Sequence, residues 1–459
     1  MRAIVVGGGI AGLAAAHRLE SVMSHAEVVL VERDSRLGGK IATERVGGFV
    51  IEAAPDSFLT RKQRGVGLCE ELGLSAQLVG RRPENERTFV RRGRDLHPLP
   101  QGLTGMIPTN LAALAGSALL SEQGRARLAD EVEVPVGHGV GDESIASFVS
   151  RRLGGEAYDA FVEPLMTGIY GGDGEQLSLA ATFPQLRAIE LEHGSLIRGL
   201  TAQPVSDSGL PPFVTLRPGM DALVTALGSR LERTRVVTGR SVRSVSRSSG
   251  GYRVGFDDGD ALASDAVVVA APAFSAAEML AGIDEDLAAA HAEIPYASSV
   301  IVTFAFREEH VSHPLDGYGY VVPRAECTAV LACTWTSRKW EGRAPEGAVL
   351  IRVYAGRYGE LDLTLEDDAE LVGLARDELS LLGIEAAPVL TRVQRWRLGM
   401  PQYVRGHLDR LARIESAVRE LPGLGVAGAA YRGVGIPDCI RSGEEAADEV
   451  ARSLVTASR

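Results

Sequence analysis

The chain has 459 residues, of which 45% are hydrophobic and 24% charged, and its formal net charge at pH 7 is −12. A chain of this length is too long for one hydrophobic core, so we expect two or three lobes. The negative charge argues against a nucleic-acid partner and gives no general attraction to an anionic lipid surface.

The N-terminal residues predict a βαβ unit that binds a dinucleotide. An apolar strand at residues 3–6 leads into GGGIAG, which fills the pattern G-x-G-x-x-G, and a helix and a second strand ending at Glu32 follow. The glycines allow a tight turn and a close approach to a pyrophosphate, which the N–H groups of the helix start can bind. A carboxylate at the end of the second strand can accept hydrogen bonds from ribose hydroxyls. The residues assigned to the dinucleotide are Gly7, Gly8, Gly9, Ile10, Ala11, Gly12, Glu32 and Arg33. A glycine-rich surface turn is the alternative.

The next segment narrows the identity of the dinucleotide. Residues 36–40 read RLGGK, and a glycine pair lets the chain pass close to a ligand without a Cβ clash. With the fingerprint, this segment resembles a large flavoprotein family that includes amine oxidases, phytoene desaturases and protoporphyrinogen oxidases. The dinucleotide of that family is FAD, so the resemblance implies FAD as the cofactor, with Gly39 and Lys40 beside it.

A predicted hairpin with Gly47 and Gly48 at its turn then delivers the loop EAAPDSF at residues 52–58. In the resembling family this loop runs under the flavin ring, usually with glycine in place of Ala54. The residues for which the resemblance implies cofactor contacts are Ala54, Pro55, Asp56 and Ser57. A plain surface turn is the alternative.

A basic cluster, Arg61-Lys62-Gln63-Arg64, follows this loop, next to the expected position of the flavin ring. We assign Arg61 and Lys62 to a negatively charged substrate, with Arg64 as a further candidate. Lys62 comes first because a lysine offers a mobile point charge that suits a flexible carboxylate. A solvated surface with no binding role is the alternative.

Residues 102–135 predict helical segments broken at Pro108, with Asn110 as an N-cap, and Ser144 is predicted to cap a further helix. The apolar helices in this region could touch a membrane surface or pack internally. Residues 161–186, which contain GIYGGD, resemble the branch of the family formed by protoporphyrinogen and coproporphyrinogen oxidases. We therefore assign Tyr170 and Gly171 to substrate binding.

Four strands are predicted between residues 235 and 269. The family has an adenine contact in the strand that matches GRSVRSV, which implies Val242, although a valine that serves only the core fits the spacing equally well. Residues 291–393 predict an antiparallel sheet with one helix, which suits the floor of a substrate cavity. Lys339-Trp340 in this region could face a substrate or lie at the surface or in the core.

The segment GVAGAAYRGVGIPDCIRSG, residues 425–443, matches the closing flavin motif of the family along its length. A glycine-rich loop that opens a helix can hold flavin oxygens on the free N–H groups of the helix start. The residues assigned to the cofactor here and just upstream are Trp396, Ala429, Gly433, Val434, Gly435 and Ile436. A C-terminal capping helix without a ligand is the alternative.

The resemblance spans essentially the whole chain and implies an α/β fold. We expect a Rossmann-like FAD-binding domain of the amine-oxidase type, with a discontinuous α+β substrate domain and a helical lobe. The FAD-binding domain is assigned to residues 1–80, 206–290 and 394–459. The helical lobe, facing the substrate or a membrane, is assigned to residues 81–205, and the substrate-binding sheet domain to residues 291–393.

The resemblance implies the oxygen-dependent oxidation of a porphyrinogen to a porphyrin in haem biosynthesis, with six electrons passed to three O₂ to give three H₂O₂. The flavin carries the chemistry, so no catalytic side chain and no metal are assigned. Residues 52–62 and GIYGGD look most like the bacterial enzymes that oxidise coproporphyrinogen III, and protoporphyrinogen IX is the alternative substrate. Transfer of the product to a ferrochelatase and a peripheral membrane contact are left open.

Two other classes of protein share these patterns. One is another flavoenzyme of the amine-oxidase or desaturase type. The other is a non-catalytic GDP dissociation inhibitor, a class that has this fold without flavin and without an intact closing motif.

The four cysteines are scattered and form no C-x-x-C motif, which favours free thiols in a reducing compartment. The sequence contains no run of eighteen apolar residues, so we expect no membrane-spanning helix. The first predicted strand begins at residue 3, which leaves no room for a signal peptide before it. We expect a cytoplasmic protein.

Overall fold

The structure is a computed structural model that describes residues 1–137, 141–203 and 209–457. In chain order the strands are β1 Arg2–Val6, β2 Glu27–Val31, β3 Thr43–Val46, β4 Phe49–Glu52, β5 Phe58–Leu59, β6 Leu78–Gly80, β7 Phe89–Arg92, β8 Asp95–Pro98, β9 Leu103–Thr104, β10 Ile107–Pro108, β11 Phe213–Leu216, β12 Arg235–Val237, β13 Val242–Ser248, β14 Gly251–Phe256, β15 Ala261–Ser264, β16 Ala266–Val269, β17 Tyr296–Arg307, β18 Gly319–Val321, β19 Val330–Trp335, β20 Ala348–Ala355, β21 Leu390–Pro401 and β22 Leu424–Val426. The α-helices are α1 Ile10–Val22, α2 Arg64–Glu71, α3 Glu122–Ala129, α4 Ile145–Leu153, α5 Gly155–Ala157, α6 Glu163–Tyr170, α7 Leu179–Thr182, α8 Pro184–His193, α9 Leu196–Ala202, α10 Asp221–Ser229, α11 Ala273–Leu280, α12 Glu285–Ala292, α13 Thr336–Lys339, α14 Asp368–Ser380, α15 His407–Arg419 and α16 Ile436–Ala457.

A five-stranded parallel sheet, in the order β12-β2-β1-β16-β22, lies at the centre of the first lobe. Val5 of β1 pairs with Leu30 on one side and with Val268 on the other. Its strands are apolar without alternation because α1, α10 and α16 cover one face, and α11, α12 and α15 cover the other. The predicted α/β class with a Rossmann-like core is confirmed. Since parallel strands end at one edge, residues that follow β1, β2, β16 and β22 meet there.

A second sheet has the order β21-β17-β20-β19-β18-β7-β8. Neighbours are antiparallel except β18 and β7, which pair in parallel with Tyr320 opposite Phe89, so this sheet is mixed. Strand β17 runs for 12 residues between β20 and β21. Strands β7 and β8 come from the segment assigned to the helical lobe, and β21 continues to Pro401. The sheet therefore uses more of the chain than residues 291–393.

Helices α3 to α9 surround an apolar core of their own. Two predicted N-caps are confirmed, because the side chains of Ser144 and Asn110 each accept a backbone N–H at a helix start. The helix predicted just before Pro108 is wrong, since β9 and β10 form a short hairpin there. Gly105 has a φ of +68° in the turn, which a helix does not allow, and Pro108 has no N–H to continue a helix.

Among the described residues, no helix is both long and apolar enough to cross a bilayer. In the same ranges, no group of His, Cys, Asp or Glu side chains could hold a metal ion. The cysteines are free thiols, and only Cys327 of the four is exposed.

Candidate functional site

The first glycine motif lies at the carboxyl edge of the parallel sheet, between β1 and α1. Gly7 has a φ of +105°, and a Cβ on it would lie 2.5 Å from the carbonyl oxygen of Ala270. A Cβ on Gly12 would lie 1.8 Å from the carbonyl oxygen of Gly7. Both positions therefore require glycine for the packing of the chain itself.

Gly9 differs from these two glycines, because a Cβ on it would meet no described atom within 4 Å. Gly9 is the N-cap of α1 and has no side chain to cap the helix, and the first turn of α1 contains no acidic residue. The first N–H groups of α1 are thus left to an outside acceptor, with the positive end of the helix dipole behind them. This cradle fits the pyrophosphate of a dinucleotide.

Glu32 follows β2 and is only 8% exposed. Its carboxylate accepts the N–H of Gly8 at 2.6 Å and the N–H of Asp34 at 2.8 Å, which turns it toward the glycine motif. Each carboxylate oxygen can accept a further hydrogen bond, so Glu32 fits a ribose hydroxyl. The neighbouring Arg33 is exposed, with its Nε 3.8 Å from the Asp34 carboxylate.

The RLGGK segment packs against the first glycine motif. A Cβ on Gly39 would lie 3.3 Å from the Cα of Gly9, so the two glycines approach closely. Burial lowers the pKa of Lys40, although nearby Cys439 of α16 opposes that shift. The structure therefore brings the first motif, the glycine pair and the start of α16 together.

Side chains of the second sheet hold the loop at residues 53–57 by its backbone. Trp396 of β21 donates from Nε1 to the Ala53 carbonyl at 2.9 Å. Arg352 of β20 donates from Nη2 to the Ala54 carbonyl at 2.9 Å. Trp396 therefore lies at the predicted flavin loop, where it orients the backbone.

Asp56 is held by its carboxylate. Its Oδ2 accepts from Trp340 Nε1 at 3.0 Å and from Lys339 Nζ at 3.1 Å, and its Oδ1 accepts from Ser57 Oγ at 2.8 Å. Burial alone would raise the pKa of Asp56, but Lys339 and Arg352 outweigh it and hold the pKa below the ordinary value. Asp56 is therefore an anion that fixes the loop to the second sheet.

The basic cluster after the loop is largely paired. Lys62 forms an ion pair with Asp438 of α16, and Arg64 forms one with Glu444 of the same helix. Arg61 is exposed. The side chain of Lys62 remains 42% exposed, so it can still meet a ligand, but with part of its charge compensated.

Tyr403 holds the closing glycine motif. Its hydroxyl donates to the Ala429 carbonyl at 2.6 Å and accepts the Gly433 N–H at 2.8 Å. Gly433 has a φ of +135°, and a Cβ on it would lie 2.4 Å from Cγ of Asp438, so the turn itself requires glycine. Tyr403 therefore joins two points of the loop before α16, the Ala429 carbonyl and the Gly433 N–H.

Helix α16 begins beside α1. A Cβ on Gly443 would lie 2.0 Å from the Ala11 carbonyl oxygen, so the two helices are in close contact. Ile436, the first residue of α16, is buried in the core of the first lobe, and Val434 packs against the helical core. Gly435 donates its N–H to Asp438 Oδ2 at 3.3 Å.

Tyr170 and Gly171 end α6 close to this motif. Tyr170 is buried, and burial followed by the charge of Asp438 raises its pKa to about 12. Its carbonyl accepts from Nε2 of the buried Gln402 at 2.8 Å. Gly171 has a φ of +57° and accepts the N–H of Tyr358 at 2.8 Å. Gln402 and Tyr403 thus join the GIYGGD segment to the closing motif.

Val242 begins β13 at the other end of the site. It is half-buried, and two residues before it the N–H of Arg240 donates to the Glu32 carbonyl at 3.0 Å. Val242 therefore lies near the residue proposed for the ribose, and it also packs against the core of the first lobe.

Sequence reasoning did not assign several residues that shape the site. They are Lys339, Trp340, Arg352, Gln402 and Tyr403. The signal for Arg352 is an arginine within the otherwise apolar strand AVLIRVYA. For the others no local pattern distinguishes a site residue from a surface or core one.

Residues 10–451 match the protein family described as flavin containing amine oxidoreductase. The chain is 37% identical to the coproporphyrinogen III oxidase of Bacillus subtilis (strain 168), over 98% of both chains. It is 33% identical to the coproporphyrinogen III oxidase of Staphylococcus aureus, over 98% of this chain and 99% of the other. A solved structure from Exiguobacterium sp. 255-15 covers 98% of each chain with a TM-score of 0.88 and 32% identity.

Proposed function

The chain belongs to the flavin containing amine oxidoreductase family, and from this premise we propose that it oxidises coproporphyrinogen III to coproporphyrin III in haem biosynthesis. It is an FAD-dependent oxidoreductase. The observation that carries the proposed substrate is the 37% identity to the Bacillus subtilis coproporphyrinogen III oxidase over nearly the whole length of both chains.

The proposed reaction removes six electrons and six protons from the macrocycle in three two-electron steps. Three O₂ accept them and become three H₂O₂. Bound FAD supplies the acceptor for a hydride equivalent from a substrate C–H group. We also propose that the product, coproporphyrin III, is delivered to a ferrochelatase.

The residues proposed to hold FAD lie at both ends of the site. The helix start at Gly9 would bind the pyrophosphate, and Glu32 would bind the ribose. The turn at Gly433 and the start of α16 would bind the pyrimidine oxygens and the ribityl chain. The loop at residues 53–57, fixed by the second sheet, would lie against the ring.

For the substrate we propose contacts from Arg61, Lys62, Tyr170 and Gly171. Coproporphyrinogen III carries four propionates, so exposed cations at the rim suit it. Buried Tyr170 and the side chains around it would exclude water from the reacting C–H group. No side chain is proposed as a catalytic acid or base.

Anaerobic mixing with each porphyrinogen tests this function. Purified protein should be yellow, and coproporphyrinogen III should bleach its flavin bands faster than protoporphyrinogen IX does. Readmission of O₂ should restore the bands and release H₂O₂ with the porphyrin. Faster bleaching by protoporphyrinogen IX would make that the substrate, and bleaching by amines alone would indicate an amine oxidase.

A further inference from the structure

A group of buried charged residues surrounds the loop at residues 53–57. The cations are Lys339, Arg343 and Arg352, and the carboxylates are Glu52 and Asp56. The side chains of Arg343 and Arg352 are 0% exposed, and those of Glu52 and Asp56 are 1% and 11% exposed. Lys339 is 20% exposed. We refer to these five residues as the loop charge cluster.

The cluster contains more positive than negative charge. Lys339 Nζ lies 3.1 Å and Arg352 Nη1 4.0 Å from Oδ2 of Asp56, while Arg343 Nη2 lies 3.3 Å from Oε1 of Glu52. Within the described part of the chain, Nε and Nη1 of both arginines have no hydrogen-bond partner. Two carboxylates cannot neutralise three cations, so one positive charge remains.

Neighbouring groups do not cancel this surplus. Arg45, which acts on Arg343, is paired at the surface with Asp221 at 2.6 Å, so that pair adds no net charge. Burial raises the pKa of Glu52, and Arg343 only partly offsets this effect. Protonation of Glu52 would therefore enlarge the positive surplus.

The cluster belongs to the cofactor site, because it holds the loop on which the flavin ring would rest. Arg352 donates to the Ala54 carbonyl. The segment after the loop is joined to α16 by the ion pair between Lys62 and Asp438. We propose that the loop charge cluster raises the reduction potential of the bound flavin, with Lys339 and Arg352 as positioning residues that set it.

The physical reason is the charge of the reduced cofactor. Flavin gains two electrons and one proton on reduction and therefore one negative charge, which a positive charge in a poorly screened interior stabilises. The inference rests on the FAD of the proposed function and does not depend on which substrate is oxidised.

The test is the flavin midpoint potential, measured by reductive titration against a reference dye without any porphyrinogen. Lys339→Met is the first variant because Lys339 is partly exposed, so the fold should tolerate it. At the wild-type midpoint, its ratio of reduced to oxidised flavin should fall about tenfold, which equals about 30 mV for a two-electron couple. Lys339→Arg keeps the charge and should stay within about twofold of wild type.

A second pair of variants separates charge from positioning. Arg352→Met should lower both the potential and the affinity for FAD, whereas Arg352→Lys should weaken FAD binding but keep most of the potential. Asp56→Asn removes a negative charge and should shift the ratio the other way, toward reduced flavin. Arg392→Gln, at an exposed ion pair with Glu44, serves as the surface control.

The inference is overturned if Lys339→Met and Asp56→Asn have the wild-type potential, or if both shift it in the same direction. It is also overturned if Arg392→Gln lowers the potential as much as Lys339→Met does. A yellow wild-type protein that no porphyrinogen reduces would refute the proposed substrate instead, and the potentials would still be compared.

Discussion

At the adenosine end of the proposed cofactor site, the carboxylate of Glu32 would bind the ribose. Glu32→Ala removes an acceptor for charge-assisted hydrogen bonds, each worth about 1.5–3 kcal/mol, so FAD affinity should fall at least tenfold. Titration of the apoprotein with FAD, followed by flavin fluorescence, measures this loss.

Because the same carboxylate accepts the N–H groups of Gly8 and Asp34, thermal unfolding of the apo variant is the necessary control. Glu32→Gln keeps the shape and one acceptor oxygen and should bind FAD with intermediate affinity. Wild-type affinity in Glu32→Ala would remove Glu32 from the cofactor site.

Lys62 tests the charge of the substrate. Its ion pair with Asp438 compensates part of its charge and leaves it 42% exposed, so its contribution should be small. Lys62→Ala should raise the KM for coproporphyrinogen III about fivefold, consistent with about 1 kcal/mol, and leave the flavin spectrum unchanged. The effect should be smaller for protoporphyrinogen IX and should decrease with added salt.

Steady-state kinetics on both porphyrinogens at two ionic strengths measures this effect. Arg61→Ala is a matched variant, because Arg61 is an exposed cation of the same cluster. An equal rise in KM for both substrates, or no rise for either, would mean that Lys62 does not bind substrate and that the basic cluster is a solvated surface.

His407 should make stability depend on pH. Burial lowers its pKa from the ordinary 6.5 to about 4, even though Nε2 donates to the Tyr431 carbonyl. The unfolded chain therefore binds more protons between these values, so the stability contribution is complete above pH 6.5 and is lost as the pH falls toward 4. The full loss is about 3 kcal/mol.

Urea unfolding of wild type and His407→Gln between pH 4 and 7 measures this dependence. The free energy of unfolding of the variant should fall less steeply with decreasing pH. Parallel curves for His407→Gln and wild type would contradict the assignment.

The closing loop depends on strand β21, because Tyr403 lies two residues beyond the end of that strand. Tyr403→Phe removes the hydroxyl that joins the Ala429 carbonyl and the Gly433 N–H. A loosened loop must be ordered again on binding, so FAD affinity should fall about five- to thirtyfold, or about 1–2 kcal/mol for two lost hydrogen bonds. The dissociation constant of FAD is the measurement.

Tyr252→Phe is the matched control, since this buried hydroxyl donates to the carbonyls of Leu421 and Pro422. Both variants should lose a similar amount of stability, but only Tyr403→Phe should lose FAD affinity. Equal FAD affinities in Tyr403→Phe and Tyr252→Phe would mean that the loop does not touch the cofactor. Gly433→Val is a poorer test, because its Cβ would clash with Asp438 whether or not flavin binds.

Elements with a strong local signal could be predicted from the sequence. The strands beside Gly7 and Glu32 are continuous apolar runs. The N-caps Asn110 and Ser144 each accept the backbone N–H three residues further along the chain. The hairpin of β9 and β10, which ends at Pro108, has no such signal, because its apolar residues fit a helix as well as a strand.

The contacts that fix the flavin loop could not be predicted in the same way. Arg352 is 298 positions from Ala54, and Trp396 is 343 positions from Ala53. Only tertiary structure brings such residues together, and a single arginine or tryptophan carries no local pattern that names its partner.

The proposed cofactor site joins three distant parts of the chain: the segment from the first glycine motif to the loop at residues 53–57, the strands from β12 to β16, and the segment from β21 to α16. A ligand that contacts all three should stabilise the folded protein as a unit. FAD at one hundred times its dissociation constant should add about 2.7 kcal/mol to the free energy of unfolding. Removal of FAD should therefore lower the Tm by several degrees, and re-addition should restore it.

Thermal unfolding of apoprotein over a range of FAD concentrations measures this linkage, and ADP serves as the control. ADP offers only the pyrophosphate and ribose contacts near Gly9 and Glu32 and should bind more weakly, so at equal ligand concentration it should give a smaller rise in Tm than FAD does. Glu32→Ala should reduce the rise with both ligands, whereas Tyr403→Phe should reduce only the rise with FAD, because Tyr403 orders the turn at the flavin end. A Tm independent of FAD, or an equal rise with ADP, would mean that the closing motif does not complete the site.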